Sequence, residues 1–231
     1  MLMSSSDNLK HSNYLLFLTM LYVSITLCSG VLTYRLVQLG PVYTQAGTLV
    51  VPLWFILSDI IAEVYGYRVA KKLVWFSFIC QMLFGIACLL LINLPSPTFS
   101  DNQAAYLVVL GSFLHLTMSK FVAYMAGGFI NIYLISRWKI LLRGRYFWLR
   151  SLGATTIAEF IFTFLTVFLI QMGRLHLKEI LMIVMVSYFL KVIYSIILAF
   201  PASLIASFLK RADGIDVYDY KVSFHPAKVM A

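Results

Sequence analysis

Six continuous apolar stretches, separated by short polar segments, divide this chain. Each reaches the ~20 residues that an α-helix needs to cross the hydrocarbon core of a bilayer. Their residues do not alternate between apolar and polar, which favours helices over a β-barrel. The pattern therefore predicts an all-α, polytopic membrane protein with six transmembrane helices. The predicted helices span residues 14–34, 43–65, 73–94, 104–135, 146–172 and 180–209.

Short segments remain outside these stretches. We predict a cytoplasmic N-terminal segment at residues 1–13, a six-helix transmembrane domain at residues 14–209 and a cytoplasmic C-terminal tail at residues 210–231. The fourth stretch is longer than one straight crossing requires and contains Gly127 and Gly128. Tilt, a kink or a broken helix could absorb the excess, and a tilted helix that packs closely at its glycines is favoured.

Composition and charge agree with this picture. The chain is 61% hydrophobic and only 12% charged, which excludes an ordinary soluble domain. An even number of spans puts thirteen of the 18 Lys and Arg residues on one side of the membrane, together with both termini. The positive-inside rule makes that side cytoplasmic. The net charge of +9 follows from this bias, so a basic face next to anionic lipid explains it without a nucleic-acid partner.

The first stretch and the cysteines each have a second interpretation. Lys10 before an apolar run also resembles a signal peptide, but no small-residue cleavage site follows, and removal would leave five spans. We therefore expect a transmembrane helix. Cys28, Cys80 and Cys88 lie within spans and lack metal-ligand spacing, so they are interpreted as small apolar side chains. No metal or cofactor is expected.

Four ionisable residues, Asp59, Lys120, Glu159 and Lys191, lie inside the apolar stretches. Each costs upward of ~2.5 kcal/mol near the centre of a bilayer, so such residues usually face a polar cavity between helices. Two acids and two bases at these depths therefore predict a shared polar cavity, and we expect the function to reside there.

The second helix carries two acids on one face. Asp59 and Glu63 are four residues apart, and Asp59 lies deeper. Glu63 is close in sequence to Arg68 and Lys71 near the end of the helix, so an ion-pair role is at least as well favoured as a role in coupling or gating.

The last three helices supply further polar faces. Thr155 and Glu159 share a face of the fifth helix, and Lys191 falls at a depth similar to that of Glu159, so a direct or water-bridged pair is predicted, with a purely structural pair left open. Lys120 and Asn131 lie three turns apart on the fourth helix. Asn131 could instead hydrogen-bond across helices.

Residues 58–63 show a weak sequence similarity to residues 155–159. It suggests two three-helix halves of inverted orientation, as in many secondary transporters. The sequence contains no phosphate-cradling glycine loop, no metalloprotease pair and no nucleophile elbow, so catalysis is unsupported.

An ordered set of motifs extends over nearly all of the chain after Arg35. Its positions are Pro52, Leu53, Asp59, residues 63–68, Lys71, Trp75, Asn131, Lys139, Gly144, Arg150, Gly153, Thr155, Glu159, Lys191, Pro201, Leu209, Lys210 and residues 214–220. This set resembles the queuosine precursor transporters of the vitamin-uptake type. Gly128 and Phe162 depart from the family pattern, where relatives often have Glu and Asp.

The resemblance implies a carrier of the bacterial inner membrane that imports 7-cyano-7-deazaguanine, and by extension its 7-aminomethyl form, for tRNA modification. A carboxylate such as Asp59 or Glu159 suits the ring N–H and the exocyclic amine of a deazaguanine, because both can donate to one carboxyl group. Asn131 suits the carbonyl edge, Trp54 can stack on the ring, and Lys191 can hold the carboxylate.

Two other functions stay open. One is a substrate-binding membrane subunit that needs a separate ATPase, because the chain has no nucleotide site of its own. The other is a membrane enzyme or assembly factor. The sequence also leaves open whether the protein forms a homodimer.

Overall fold

The computed structural model describes residues 13–33, 35–39, 42–95, 103–171 and 176–220. Most of the predicted N-terminal segment and the end of the predicted tail lie outside these ranges. Two short antiparallel strands form a hairpin, β1 (Leu36–Leu39) and β2 (Val42–Gln45). The α-helices are α1 (Asn13–Leu32), α2 (Ala46–Tyr65), α3 (Tyr67–Ile92), α4 (Gln103–Tyr106), α5 (Phe113–Ser119), α6 (Phe121–Leu141), α7 (Phe147–Gln171) and α8 (Leu177–Asp213).

Helices long and apolar enough to cross a membrane account for most of the described chain. α1, α2, α3, α7 and α8 each qualify alone, and the segments Gln103–Ser119 and Phe121–Leu141 make a sixth span if they are counted together. The prediction of an all-α, polytopic membrane protein is confirmed. The inverted relation between two halves stays a prediction.

The fourth apolar stretch is bent rather than simply tilted. Its two arms meet at Lys120 at an angle of 59°, and a π-helical turn at Leu107–Gly111 interrupts the first arm. The prediction of a single tilted helix is wrong, because the chain leaves regular helical geometry at Lys120, where φ is −89° and ψ is −2°. Gly127 and Gly128 instead lie inside the continuous helix α6.

The second helix begins three residues later than predicted. Residues 42–45 belong to β2, where Val42 pairs with Leu39 and Gln45 pairs with Leu36. Strand formation fits the β-branched and aromatic residues Val42, Tyr43 and Thr44. The turn signal Gly40-Pro41 between two short runs was the available hint of a hairpin.

Helix α2 lies at the centre of the bundle. It packs against α1, α3, α6, α7 and α8, and each residue from Trp54 to Tyr65 is buried. The outer faces of α3 and α8 expose large apolar side chains, as expected for helices that face lipid. We call the end of the bundle with β1 and β2 the hairpin end. The opposite end, where residues 214–220 pack, is the tail end.

Candidate functional site

A cavity of about 330 Å³ occupies the hairpin half of the bundle. Its described lining contains two lysines, Lys120 and Lys191, but no Asp or Glu. Ligand pockets typically have volumes of ~300–1,000 Å³, so the space suits a small molecule. Hydroxyl and amide groups line much of the wall. They come from Thr26, Ser29, Thr33, Thr44, Gln45, Thr48, Gln81, Thr117, Thr163, Thr166 and Ser187.

Four aromatic residues form a layer across the inner end of this cavity. Trp54 stacks on Phe55 with ring centroids 3.8 Å apart, and Phe162 meets both rings edge-on at 5.7 and 6.0 Å. The ring centroid of Tyr124 lies 5.3 Å from that of Trp54, and the Tyr124 hydroxyl shares hydrogen bonds with the hydroxyls of Tyr22 at 3.2 Å and Ser77 at 2.5 Å. We call Trp54, Phe55, Tyr124 and Phe162 the aromatic layer. It separates the cavity from the polar residues closer to the tail end.

Neither cavity lysine forms an ion pair within the described part of the chain. Lys191 Nζ donates to Thr163 Oγ1 at 2.8 Å and lies 5.1 Å from the centroid of the Phe162 ring. Lys120 lies at the bend between α5 and α6, and its Nζ donates to Thr33 Oγ1 at 3.3 Å. Both cations are therefore held by hydroxyl groups at the wall of the cavity.

Glu159 of α7 and Lys191 of α8 lie close together, but each forms a hydrogen bond with another residue of the opposite helix. Ser195 Oγ is 3.4 Å from both carboxylate oxygens of Glu159, and Ser195 is one helical turn from Lys191. Thr163, the partner of Lys191, is likewise one turn from Glu159. Two side-chain hydrogen-bond contacts, Ser195 with Glu159 and Lys191 with Thr163, thus join α7 to α8. Of the two predicted forms of contact, a direct ion pair between Glu159 and Lys191 is absent among the described residues, and the water-bridged pair stays a prediction.

Asp59 lies in a buried cluster beyond the aromatic layer. Its Oδ1 accepts from Asn131 Nδ2 at 2.5 Å, and its Oδ2 accepts from Ser151 and Thr155 at 2.5 and 2.9 Å. Asn131 Nδ2 also donates to Ser58 Oγ at 3.1 Å, whereas Asn131 Oδ1 is buried without a partner. The cluster connects α2, α6 and α7 through one carboxylate. One acceptor within it is unused.

Glu63 lies nearer the tail end, in a buried ionic cluster. Arg150 NH1 and NH2 bind its two carboxylate oxygens at 2.8 and 3.0 Å, a bidentate geometry, and Lys210 Nζ approaches Oε1 at 2.6 Å. Arg150 also donates to the backbone oxygens of Arg145 and Gly144. The expected ion-pair role is thus present in the geometry. Its partners come from distant helices rather than from Arg68 and Lys71.

Residues 214–220, which we call the tail segment, fold across this end. Asp216 Oδ1 lies 2.5 Å from Lys139 Nζ and 3.0 Å from Lys210 Nζ. Burial acts to raise the pKa of Asp216, but the two ammonium groups outweigh it and hold the pKa below the ordinary value. The backbone N–H of Tyr67 donates to Asp219 Oδ2 at 2.8 Å, at the start of α3. The tail segment therefore binds through charge and backbone contacts.

The predicted site residues fall into three levels along the bundle. Trp54, Lys120 and Lys191 line the cavity. The next level contains Asp59, Asn131, Thr155 and Glu159, and Glu63 lies at the tail end.

Sequence reasoning missed the site roles of several residues. Arg150 and Lys210 were predicted only to be cytoplasmic charges and family-matching positions, with no partner assigned, whereas the structure buries Arg150 against Glu63 and places Lys210 on the same carboxylate. Gln81 in α3 and Thr44 in β2 carry no sequence signal that separates them from other uncharged polar residues of the chain.

Comparisons with known proteins place the chain among transporters. Residues 45–206 match the family described as "Putative vitamin uptake transporter". A curated relative, "Probable queuosine precursor transporter" of Bacillus subtilis (strain 168), is 26% identical over 144 residues, which are 61% of this chain and 62% of the relative. The match thus spans about three fifths of that relative. No solved structure matches. Because the matched region covers most of the chain, the protein belongs to the vitamin uptake transporter family.

Proposed function

We propose that this protein moves a queuosine precursor, a 7-deazaguanine, across a bacterial inner membrane for use in tRNA modification. The observation that carries the proposal is the cavity of about 330 Å³, which combines an aromatic floor with hydrogen-bonding walls inside a helical bundle. A deazaguanine is flat and rich in hydrogen-bonding groups, so it needs both features. The name of the Bacillus subtilis relative points to the same substrate class.

Binding begins at the aromatic layer. Trp54 and Phe162 offer aromatic surface to the flat ring, while Thr163 and Lys191 offer polar groups to its edge. Asp59, Asn131, Thr155 and Glu159 lie beyond the layer in the present conformation. We assign them to a later stage, when movement of the layer admits the substrate to the deeper cluster.

The deeper cluster has the chemistry to read the base. A carboxylate can accept the ring N–H and the exocyclic amine together, which makes recognition specific. The unused atom of Asn131 is its acceptor Oδ1, so an N–H of the substrate is its best partner. This differs from the expectation that Asn131 reads the carbonyl edge.

The orientation of the protein in the membrane follows from the charge distribution. Arg68, Lys72, Arg137, Arg143 and Arg211 all lie near the tail end, so the positive-inside rule assigns that end to the cytoplasm. The cavity then faces outward, and the ionic cluster of Glu63 closes the inward path. Opening that cluster while the bundle closes around the bend at Lys120 would complete alternating access.

Uptake by cells tests the proposal. Cells that cannot make 7-cyano-7-deazaguanine, and that lack their own transporter, receive the labelled compound with and without this protein. We expect accumulation, and queuosine in tRNA, only when the protein is present. Membrane insertion without any uptake would contradict the proposal. An Asp59→Asn variant should insert normally and accumulate less label.

Reconstitution decides whether the chain acts alone. Purified protein in liposomes should move the labelled precursor without ATP, because no nucleotide-binding motif is present in the sequence. Strict dependence on a co-purifying ATPase would favour the substrate-binding subunit instead. A chemically altered product would favour an enzyme.

A further inference from the structure

Asp59 is a buried carboxylate without a counter-charge among the described residues. Its side chain is fully buried, and none of the ion pairs in the described part of the chain includes it. The Arg150 guanidinium binds Glu63 through two nitrogens, and Lys191 donates to Thr163. An ionised carboxylate at this depth is costly unless a positive charge partners it. Asp59 therefore needs a cation or a proton, which no described side chain supplies.

The same cluster contains a buried acceptor that is not used. Asn131 is fully buried, and its Nδ2 donates to Asp59 Oδ1 at 2.5 Å and to Ser58 Oγ at 3.1 Å. Its Oδ1 has no hydrogen-bond partner. Half a turn of the amide about its last torsion would exchange these two atoms and direct Oδ1 toward Asp59 and Ser58. A cation between these oxygens would partner the unused acceptor and the unpaired carboxylate together.

We propose that this cluster is a binding site for a monovalent cation, Na⁺. Hard cations prefer oxygen ligands, and each polar side chain of the cluster offers one. One carboxylate among neutral oxygens balances a single positive charge. No group of three or more His, Cys, Asp and Glu side chains among the described residues could hold a metal ion, which disfavours a divalent ion. The close packing of the cluster favours Na⁺ over the larger K⁺. The ligands are Ser58, Asp59, Asn131, Ser151 and Thr155.

The hydroxyl groups suit both the free and the ion-bound state. Ser151 Oγ and Thr155 Oγ1 donate to Asp59 Oδ2 at 2.5 and 2.9 Å. A hydroxyl group rotates freely and carries acceptor lone pairs besides its proton, so each oxygen can turn toward an ion. The sequence predicted no metal because its cysteines lack ligand spacing. A cation held by hydroxyl, amide and carboxylate oxygens leaves no such pattern in the sequence.

The site is placed to couple the ion to a substrate. Its ligands come from α2, α6 and α7, so a bound ion would hold three helices together. Asn131 Oδ1 has two lone pairs, so one can bind the ion while the other accepts an N–H of the substrate. By linkage, each would then raise the affinity for the other by the same factor. The coupling rests on the proposed function, whereas ion binding does not.

Thermal unfolding measures ion binding without any substrate. Purified protein in nanodiscs is heated in NaCl and in KCl at equal concentrations and neutral pH. In NaCl we expect the midpoint to rise by about 5 °C or more once Na⁺ is well above its dissociation constant, because a ligand of the folded state stabilises it. Equal midpoints in the two salts would overturn the inference.

Substitutions assign the effect to the cluster. Asp59→Asn removes the charge and Asn131→Ala removes the amide oxygen, so each should abolish the rise that depends on Na⁺. Asn93→Ala is the matched control, because Asn93 is exposed at the end of α3 and should leave the rise intact. The transition of each variant in KCl shows that it is folded. A full rise in Asp59→Asn would overturn the assignment.

Proteoliposomes separate the ion site from the proposed function. An inward Na⁺ gradient should raise labelled 7-cyano-7-deazaguanine above its outside concentration, and an inward H⁺ gradient should not. Accumulation driven by H⁺ instead, or equilibration alone, would overturn the coupling to Na⁺ and leave the proposed function standing. If no gradient moves the compound while Na⁺ still raises the unfolding midpoint, the ion site is supported and the proposed function is contradicted.

Discussion

Glu63 is fully buried and is held by Arg150 and Lys210, so three charges share one site inside the bundle. Removing charges from water is costly, and only good geometry compensates for it. Here the guanidinium binds both carboxylate oxygens and also donates to the backbone oxygens of Arg145 and Gly144. The arrangement therefore depends on every member being present.

Loss of one partner should be severe. A Glu63→Gln variant leaves Arg150 buried without its counter-charge, and we expect the free energy of unfolding to fall by ~3–5 kcal/mol. Thermal unfolding of the purified protein measures the change. Glu179→Gln serves as control because Glu179 is exposed at the start of α8 and only caps that helix. An equal loss of unfolding free energy in the two variants would contradict the stabilising role of the Glu63 ion pairs.

At the scale of elements, close contacts fix how helices and the tail segment pack. Gly127 lies against α7, where an added Cβ would be 2.9 Å from Phe162 Cβ, whereas a Cβ at Gly128 would be 3.2 Å from Val74 Cγ1. Gly66 has a φ of +88° and lies against Val217 of the tail segment. Both kinds of contact require the absence of a side chain.

The two glycines of α6 form a matched pair of tests. Gly127→Ala should destabilise the protein by ~1–3 kcal/mol, because a Cβ of Phe162 is fixed by its own helix and cannot move aside. Gly128→Ala should cost less, since a rotation of the Val74 side chain relieves the contact. Thermal unfolding of both variants makes the comparison. A larger loss for Gly128→Ala would contradict the helix packing described above.

The tail segment can be tested through Gly66. Gly66→Ala combines an unfavourable φ with a clash at Val217, so we expect a loss of ~1–3 kcal/mol and faster chymotrypsin cleavage at Tyr218. Gly214→Ala is the matched control, because its φ is +64° but nothing lies within 4 Å of the added Cβ. Gly214→Ala should lower the free energy of unfolding through its unfavourable φ, but it should not speed chymotrypsin cleavage at Tyr218. Similar cleavage of both variants would mean that the Val217 contact does not hold the segment.

The response of the tail segment to pH follows from Asp216. Its pKa in the folded protein lies below its ordinary value, so its ion pairs contribute stability above that ordinary value, about 4. The contribution is lost as the pH falls through the lowered folded pKa. We therefore expect the tail segment to resist chymotrypsin equally across neutral pH. Below about pH 4, where pepsin replaces chymotrypsin, cleavage at Tyr218 should rise relative to cleavage of a free peptide of residues 214–220.

For the whole molecule, the hairpin half contains the cavity and the tail half contains the buried ionic cluster. Among the described residues, the tail end is held by the ion pairs of Glu63 and the tail segment, and a second cavity of about 330 Å³ lies beside Glu63 and Lys210 there. Alternating access requires one side of a carrier to be packed while the other is open, and ion pairs confined to the tail half fit that requirement. The bend of 59° at Lys120 interrupts the helix beside the cavity, so a hinge motion there would change the shape of the cavity.

Accessibility from the two sides tests this asymmetry. In a variant that lacks Cys28, Cys80 and Cys88, Thr166→Cys places a thiol in the cavity, and Ser207→Cys places one at the tail end. A membrane-impermeant maleimide added outside intact spheroplasts should label the first and not the second. Excess 7-cyano-7-deazaguanine should slow the labelling. Labelling of only the Ser207→Cys variant would reverse the proposed orientation.

The sequence alone determined that this chain is a helical membrane protein, because continuous apolar stretches of membrane-spanning length have no other stable use. It also singled out Asp59, Lys120, Glu159 and Lys191, because charge in such stretches is costly and rarely retained without a purpose. These inferences need only local pattern and the properties of the bilayer.

Only the tertiary structure decided which of these groups meet. Periodicity places a side chain on a helix face but does not say which neighbouring helix packs there. The sequence therefore suggested the nearby Arg68 and Lys71 as partners of Glu63, whereas the partners in the structure are Arg150 and Lys210. The same limit hid the aromatic layer that separates Lys191 from Asp59. The bend at Lys120 was equally hidden, because excess length in an apolar stretch is compatible with tilt, kink or break. Depth and composition are properties of the sequence, whereas convergence of side chains on one cavity is a property of helix packing.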